Sequence, residues 1–407
     1  MWECVARSNP QAQILQAMKG MKTLRSGRNR RKWIYVLLLM GLLGLSGCGS
    51  PSSASVEMSS QTELVKTGSM ELQYAENFAV DYYEDGYKML TTLPDSKRYL
   101  IVPEGQPVPR GLDEDVSILQ DPLQNIYLVA SGAMDMFASL DSVDQIRFSG
   151  QKQENWYIQT AKDAMEAGDM IYAGKYSKPD YELLVSEGCD LAIENRMITH
   201  SPEVVEMLQS FDIPVMIEYS SYEKHPLGKV EWVKFFGALT GKEAKAEEAF
   251  AEQTEILEKV ESGEKTGKTI AFFYVTSNGL IQVRQSTDYI PKLIELAGGR
   301  YIFEDLEDSG SGRSTLNMQV EDFYAGAKDA DILIYNSSID GGVTTLDELI
   351  GKCNILKDFK ALQEGQVYCT TNDMYQQSMA IGYLLQDMHT VLTDDDTAKL
   401  RYLFLLQ

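Results

Sequence analysis

Short, continuous apolar runs alternate with amphipathic stretches along the first half of the chain. The apolar runs have the length of buried strands, and the stretches between them repeat apolar residues at helical spacing. The predicted strands are 124–130, 169–174, 189–194 and 213–219, and the predicted helices are 131–140, 180–188 and 201–211. In the last helix, Ser201 is an N-cap and Pro202 suits the first turn. Strands that alternate with helices predict βαβ units and a largely parallel sheet.

A second series of the same kind begins at residue 268. Its predicted strands are 268–275, 279–284, 331–336 and 365–370, and its predicted helices are 288–299, 320–330 and 345–352. Gly298 and Gly299 mark the end of the first of these helices, because glycine adopts the left-handed conformation that closes a helix. The two series predict two separate α/β lobes.

Residues 225–261, between the two series, have helical periodicity. The spacing of Thr240 and Glu243 is that of a capping box, which predicts that the helix restarts after a break near 237–240. His225 directly precedes Pro226 and is expected to begin this helix rather than to bind a ligand. The sequence therefore predicts an α/β fold of two Rossmann-like lobes, with mostly parallel sheets, joined by one long bridging α-helix.

The N-terminal region has the pattern of an export signal. Basic residues at 25–32 precede a short apolar run at 33–46, which is too short for a stable membrane span, and "LSGC" ends at Cys48. This tetrapeptide looks like the lipobox of bacterial lipoproteins, in which the signal is cut before a cysteine that is then lipidated. An ordinary N-terminal membrane anchor is the alternative. Residues 1–20 are interpreted as an upstream extension, since Met21 gives a signal of normal length.

The charge and the cysteine count of the chain exclude some classes of function. The chain has 407 residues with 37 Lys and Arg against 60 Asp and Glu, a net charge of −23, so it lacks the basic surface that nucleic-acid binding requires. Besides Cys48, three cysteines lie in the folded part, Cys189, Cys353 and Cys369. An odd number gives no complete disulfide framework, and buried thiols are expected, although a pair between Cys353 and Cys369 stays open.

Three stretches carry a resemblance to a known family: "YLVASGAMDMFASLDSVDQIRFSG" (127–150), "PDYELLVSEGCDLAIEN" (179–195) and "VEDFYAGAKDADILIYNSS" (320–338). Their order, together with the lipobox, resembles the helical-hinge (class III) substrate-binding lipoproteins of ABC importers, over roughly residues 75–400. The resemblance implies a non-enzymatic receptor on the extracytoplasmic face of the cell membrane. It would act as a monomer and deliver a metal chelate to a permease and its ATPase subunits.

The family pattern also implies a domain plan and two docking residues. The plan is a signal peptide (1–47), a lipidated Cys48 with a flexible tether (48–68), an amino lobe (69–225), a bridging helix (226–262) and a carboxyl lobe (263–407). Glu182 and Glu321 match the acidic positions that dock onto the permease. The spacing from Glu321 to its following strand is two residues longer than that from Glu182, which leaves Asp322 as a substitute.

Ligands of open α/β sheets bind outside the carboxyl ends of the strands, so the loops after the predicted strands contain the candidate binding residues. Tyr and Met side chains there suit a large, partly planar ligand, and the cations suit an anionic iron chelate. The candidates are Met134, Lys175, Tyr176, Arg196, Met197, Ser221, Tyr222, Asn278, Arg284, Arg313, Asn336, Ser337, Asn372 and Tyr375.

A ferric siderophore is the expected ligand, with haem or a corrinoid as alternatives, so iron or cobalt would arrive with the ligand and no cofactor of the protein itself is expected. Haem could be ligated by Tyr176, Tyr222, Met134 or Met197. A receptor for a free metal is less well supported, because the three histidines, His200, His225 and His389, are scattered and no metal motif occurs. A surface-anchored hydrolase is the other alternative, although no G-x-S-x-G motif is present.

Overall fold

The computed structural model describes residues 64–306, 314–337, 342–393 and 397–407. The signal peptide, Cys48 and most of the tether predicted from sequence lie outside these residues. The tether was expected to reach residue 68, but Lys66–Ser69 is already a strand, paired with Phe78–Tyr83. Within the described ranges, no helix is long and apolar enough to cross a membrane.

The described chain begins with a five-stranded sheet that the apolar pattern did not predict. Its strands, in the order 1-2-3-4-5, are β1 (Lys66–Ser69), β2 (Phe78–Tyr83), β3 (Lys88–Thr92), β4 (Lys97–Val102) and β5 (Val116–Gln120). The first three pairs are antiparallel, and β4 and β5 are parallel. The sheet is tied to the next lobe by the Tyr99 hydroxyl, which donates to the carbonyl of Val215 at 2.8 Å.

The amino lobe is built as predicted, around a parallel sheet. Its strands β6, β7, β8, β11 and β12 are ordered 12-11-6-7-8 and every neighbouring pair is parallel, while β9 and β10 form a separate ribbon. The bounds of these strands are β6 (Ile126–Leu128), β7 (Ile146–Ser149), β8 (Ile171–Tyr172), β9 (Gly174–Lys175), β10 (Lys178–Pro179), β11 (Leu191–Asn195) and β12 (Val215–Glu218). The helices of the lobe are α1 (Ala133–Ser139), α2 (Gln159–Ala167), α3 (Tyr181–Glu187) and α4 (Pro202–Ser210).

The bridging segment consists of two helices, which corrects the expectation of one long helix and confirms the predicted break near 237–240. They are α5 (Pro226–Thr240) and α6 (Glu243–Glu261), and the chain turns at Gly241 with a φ of +69°, a conformation that glycine adopts without strain. The helices cross closely at Gly237, where an added Cβ would lie 2.6 Å from the Cβ of Ala246. The predicted capping box does not form, because the Thr240 hydroxyl donates to the Phe236 carbonyl instead.

The carboxyl lobe has a mixed sheet in the order 16-14-13-17-18-19, with β15 paired to β13. β17 is parallel to β13 and β18, whereas β14, β16 and β19 run antiparallel to their neighbours. The strands are β13 (Thr269–Val275), β14 (Ile281–Arg284), β15 (Arg300–Tyr301), β16 (Thr315–Met318), β17 (Ile332–Tyr335), β18 (Val367–Thr370) and β19 (Leu403–Leu405). The helices are α7 (Tyr289–Leu296), α8 (Val320–Ala327), α9 (Leu346–Lys352), α10 (Lys360–Gln363) and α11 (Ile381–Thr393).

In both lobes, an Asp side chain at the start of a central strand accepts a hydrogen bond from the backbone beside it. Asp190, just before β11, accepts the backbone N–H of Asn125, which precedes the neighbouring strand β6. Asp331, just before β17, likewise accepts the N–H of Thr269 at the start of the neighbouring β13. Each carboxylate fixes the start of two adjacent strands, so their carboxyl ends emerge together at one edge of each sheet.

Helix α5 lies at the centre of the largest hydrophobic core. Residues 226–239 are all buried, and Phe78 of the first sheet packs 5.0 Å and 5.3 Å, between ring centroids, from Trp232 and Phe235. The same core continues through Phe137 of the amino lobe and Phe272 of the carboxyl lobe. The first sheet and both lobes therefore pack around a single buried helix.

Candidate functional site

A cavity of about 270 Å³ lies between the lobes, at the ends of the strands. The amino lobe contributes the loops after β6, β11 and β12, and the carboxyl lobe contributes the end of β14, the start of α7 and the loop after β18. Its walls are Ser131, Gly132, Asn195, Arg196, Met197, Glu218, Ser221, Tyr222, Lys229, Arg284, Tyr289, Ser314 and Tyr375. The position is the one expected for a ligand of a two-lobed α/β protein.

Six of the residues predicted from sequence lie in this wall: Arg196, Met197, Ser221, Tyr222, Arg284 and Tyr375. Arg196 sits with its guanidinium carbon 4.5 Å from the centroid of the Tyr222 ring, so the two form a cation–π pair at the rim. Asn336 stands directly behind the wall and donates to the Tyr375 hydroxyl at 2.7 Å. Ser337 is buried behind it, with Asn372 as its neighbour at 3.2 Å.

Four other predicted residues lie away from the cavity. Met134 is fully buried in the core because α1 begins at Ala133 and turns this side chain inward. Lys175 and Tyr176 belong to the β9–β10 ribbon, where Lys175 is exposed and Tyr176 packs on the outer face of the amino lobe. Asn278 is exposed in the turn between β13 and β14 and accepts from the Thr276 hydroxyl. Arg313 lies outside the described residues.

The guanidinium of Arg284 is held in place by two side chains, Asp288 and Tyr375. Its guanidinium is 3.3 Å from the Asp288 carboxylate and donates to the Tyr375 hydroxyl, and Asp288 in turn caps α7 by accepting the N–H of Ile290 at 3.0 Å. Burial raises the pKa of Tyr375 to about 12, against the opposing effect of Arg284. Tyr375 therefore stays a neutral phenol at physiological pH.

Lys229 and Glu218 form the floor, and neither was predicted from the sequence as a binding residue. Lys229 is 3% exposed, and burial lowers the pKa of its ammonium. Burial also raises the pKa of Glu218, although the N–H of Ser220 donates to its carboxylate at 2.6 Å. The signal that could have identified Lys229 is its position: it is a charged residue in a helical segment rich in large apolar side chains.

A segment of the carboxyl lobe, 373–380, also contacts the amino lobe beside the cavity. Gln376 accepts the N–H of Tyr157 and donates to the carbonyl of Asn155, both at 2.8 Å, and the N–H of Met379 donates to Asp135 at 2.7 Å. Burial raises the pKa of Asp135 to about 6. This segment, which we call the strap, carries Tyr375 to the cavity and holds the two lobes together.

The polar residues around His225 have structural roles. Nδ1 of His225 caps α5 by accepting the N–H of Leu227 at 3.2 Å, which confirms the prediction that this residue begins the helix. Glu223 accepts the indole N–H of Trp232 at 2.9 Å, and Glu231 accepts backbone N–H groups of the segment before β2. In the part of the chain that the structure describes, no group of three His, Cys, Asp or Glu converges as a metal site.

The two glutamates predicted to dock onto a permease are both exposed in the first turn of a helix. Glu182 lies in α3 and Glu321 in α8, where the positive end of the helix dipole favours a carboxylate. Asp322, the substitute, is exposed next to Glu321. Their role in docking stays a prediction.

Among known sequences, the chain is similar to two proteins named uncharacterized lipoproteins from Methanocaldococcus jannaschii. One is 23% identical over 396 residues, which cover 88% of this chain and 92% of the relative. The other is 23% identical over 367 residues, which cover 85% and 90%. No protein-family model matches the chain.

Solved structures match the fold at low sequence identity. A periplasmic haem-binding protein, HutB of Vibrio cholerae, is 14% identical with a TM-score of 0.53, covering 66% of this chain and 98% of that one. The petrobactin-binding protein YclQ of Bacillus subtilis is 13% identical with a TM-score of 0.52, covering 66% and 92%. The TroA-like periplasmic binding protein FepB of Veillonella parvula is 14% identical with a TM-score of 0.52, covering 70% and 96%.

Proposed function

Because the chain has the fold of TroA-like periplasmic binding proteins, we propose that it is the solute-binding receptor of an ABC importer. It would capture an iron complex, a ferric siderophore first, between its two lobes and deliver it to the permease. The observation that carries this proposal is the interlobe cavity, whose wall includes the cations Arg196, Lys229 and Arg284. Haem-binding and petrobactin-binding proteins among the structural matches support an iron-containing ligand.

The polar groups of the wall favour a chelate over a free metal ion. Metal ions take carboxylate, imidazole or thiolate ligands, whereas this wall presents mainly N–H and O–H donors, which suit the outer oxygens of a complexed metal. Tyr222 and Met197 are the two predicted haem ligands that lie in the wall, and Tyr289 and Tyr375 also line it. A receptor for a free metal and a surface-anchored hydrolase are the outcomes that would replace the proposal.

An extracytoplasmic location fits both sets of similar proteins, because the relatives are named lipoproteins and the structures are periplasmic binding proteins. In this proposal the signal ends at residue 47 and lipidated Cys48 holds the protein at the cell membrane. The folded part would act as a monomer near the permease, with the tether spanning the distance.

Ligand capture predicts a saturable thermal shift. A ligand that binds the folded state only should raise the free energy of unfolding by about 2.7 kcal/mol at a concentration of 100 times Kd. We expect this from at least one complex in a panel of ferric hydroxamates, ferric catecholates, ferric citrate, haem and cobalamin, measured by scanning calorimetry. A panel that leaves the melting temperature unchanged, with turnover of an ester or phosphate substrate instead, would favour the hydrolase.

If Glu182 and Glu321 dock onto the permease, substitutions there should reduce ligand transport and leave ligand binding unchanged. Replacing both Glu182 and Glu321 with Ala should abolish most ligand uptake, because the exposed carboxylates would no longer pair with the permease. Kd for the ligand should stay unchanged, because neither residue lines the cavity. Uptake of a radiolabelled complex by whole cells and calorimetry on the purified protein measure the two quantities. Glu206→Ala, on the exposed side of α4, is the matched control. Full uptake by the double variant would show that the docking assignment is wrong and would leave Asp322 as the next residue to replace.

A further inference from the structure

Helix α5 contains three charged side chains although its residues 226–239 are all buried. These are Lys229, Glu231 and Lys234, with exposures of 3%, 0% and 3%. A charge in a protein interior is costly unless it is paired or has a function. The partners of these three residues therefore show what each one does.

Two of the three are accounted for by the fold. Glu231 accepts the backbone N–H groups of Gln73, Tyr74 and Ala75 at 2.8 to 3.1 Å. Lys234 pairs with Glu247 at 2.9 Å and with Glu231 at 3.5 Å. Both residues serve to attach neighbouring segments to α5.

Lys229 is different. Its ammonium lines the cavity, 4.9 Å from the centroid of the Tyr289 ring, and no described residue accepts a hydrogen bond from it. Glu218 attracts it electrostatically, yet no carboxylate among the described residues lies within 4.0 Å of its nitrogen. The N–H groups of this buried, cavity-lining side chain thus have no acceptor among the described residues.

Two phenol groups add further unused donors. The Tyr375 oxygen accepts from both Arg284 and Asn336, which occupies its acceptor positions and leaves its own O–H to donate. Tyr289 also lines the cavity, and its hydroxyl has no partner among the described residues. The acids nearby are already engaged: Asp288 pairs with Arg284, and Glu218 accepts from Ser220.

We propose that Lys229, Tyr289 and Tyr375 form a binding site for an anionic oxygen group of the ligand, a carboxylate or a phosphate. The site rests on the proposed receptor function and specifies which part of the ligand reaches the floor. A buried donor set without acceptors is completed by a ligand that brings acceptors and negative charge. Ligands that carry such a group should bind far better than neutral ones of the same size.

The test is calorimetric titration of the full folded chain with citrate, inorganic phosphate, ferric citrate and a neutral ferric trishydroxamate. Wild-type protein should bind citrate or phosphate, and the preferred one identifies the group. Lys229→Met should weaken that binding roughly 10- to 150-fold, the range for a hydrogen bond to a charged group. Lys259→Met, an exposed lysine on α6, is the control and should bind as wild type does.

Two further measurements distinguish a binding role from a structural one. Without ligand, Lys229→Met should melt at or above the wild-type temperature, since an unpaired buried charge is removed; a lower melting temperature would indicate that Lys229 holds the fold together. Tyr289→Phe keeps the ring and loses only the hydroxyl, so it should weaken anion binding several-fold on its own. This second variant tests the site even if Lys229→Met fails to fold.

The outcomes separate this proposal from the receptor function. If ferric citrate binds wild type and Lys229→Met equally well, the anion site is wrong and the receptor function stands. If citrate or phosphate binds in a Lys229-dependent manner while no ferric complex binds, the site stands and the iron ligand is wrong. If neither citrate nor phosphate binds wild type, the anion site is overturned.

Discussion

Replacing Glu231 with Ala is expected to lower the free energy of unfolding by roughly 3–5 kcal/mol, the usual cost of removing one partner from a buried charged network. The carboxylate has no solvent exposure and accepts three backbone N–H groups from residues 73–75. Without it these donors lose their acceptor, and the segment that leads into β2 loses its attachment to α5. Urea denaturation of wild type and variant measures the difference.

Glu247→Ala provides the matched control. Glu247 is also a carboxylate bound to Lys234, but its side chain is 59% exposed, so its loss should change stability by less than about 1 kcal/mol. Equal destabilisation by the two substitutions would contradict the anchoring role of Glu231. A further sign of that role is proteolysis: the Glu231 variant should be cut near residues 70–77 sooner than wild type.

Glu194 should make the protein less stable as the pH rises. It follows Ala192 on the outer face of the amino-lobe sheet, it is fully buried, and neither of its carboxylate oxygens has a hydrogen-bond partner among the described residues. Burial raises its pKa to about 8. The folded state therefore keeps this proton between about pH 4.5 and pH 8, whereas the unfolded chain releases it near its ordinary pKa.

The sign follows from proton linkage. The folded state binds more protons than the unfolded state between about pH 4.5 and pH 8. The contribution of Glu194 to the free energy of unfolding is therefore fully present below about pH 4.5, and it is lost at about 1.4 kcal/mol per pH unit up to about pH 8. Glu194→Gln cannot ionise at this position. Between pH 5 and pH 8 its free energy of unfolding should therefore fall by about 4 kcal/mol less than that of wild type. Urea denaturation at several pH values measures both slopes.

Other buried acids, such as Glu218 and Asp135, also have raised pKa values, so the comparison rests on the difference in slope between variants. Glu206→Gln, exposed on α4, should keep the wild-type slope. Identical slopes for Glu194→Gln and wild type would mean that the Glu194 carboxylate is solvated or paired, contrary to its complete burial in the amino lobe.

The sequence predicted the paired lobes well because their central strands are buried on both faces. In β13, Ile270 and Phe272 face the central core while Ala271 and Phe273 face the outer one, so the strand is continuously apolar. The first sheet was not predicted, because most of its strands are not continuously apolar. β1 is exposed throughout, Asp81 interrupts β2, and β3 and β5 mix polar with apolar residues, so a continuous apolar run is confined to the four residues 99–102 of β4.

The cavity residues were predicted only in part because not all of them lie in the loops that follow strands. Arg284 and Tyr375 were found since they end or follow strands, but Lys229 and Tyr289 belong to helices. The sequence of α5 does not show that Lys229 faces a cavity whereas Lys234 faces Glu247. That distinction depends on how the helix is rotated between the lobes, which is fixed by its packing against three different surfaces.

The buried helix α5 has a consequence for how the molecule can be dissected. Because the first sheet, the amino lobe and the carboxyl lobe each cover part of its surface, none of them closes its own core. We expect one cooperative melting transition for residues 64–407 rather than two. A fragment that stops at residue 225 would expose the apolar surfaces that α5 covers, so the halves are expected to be insoluble apart and to recover a native core only when they associate.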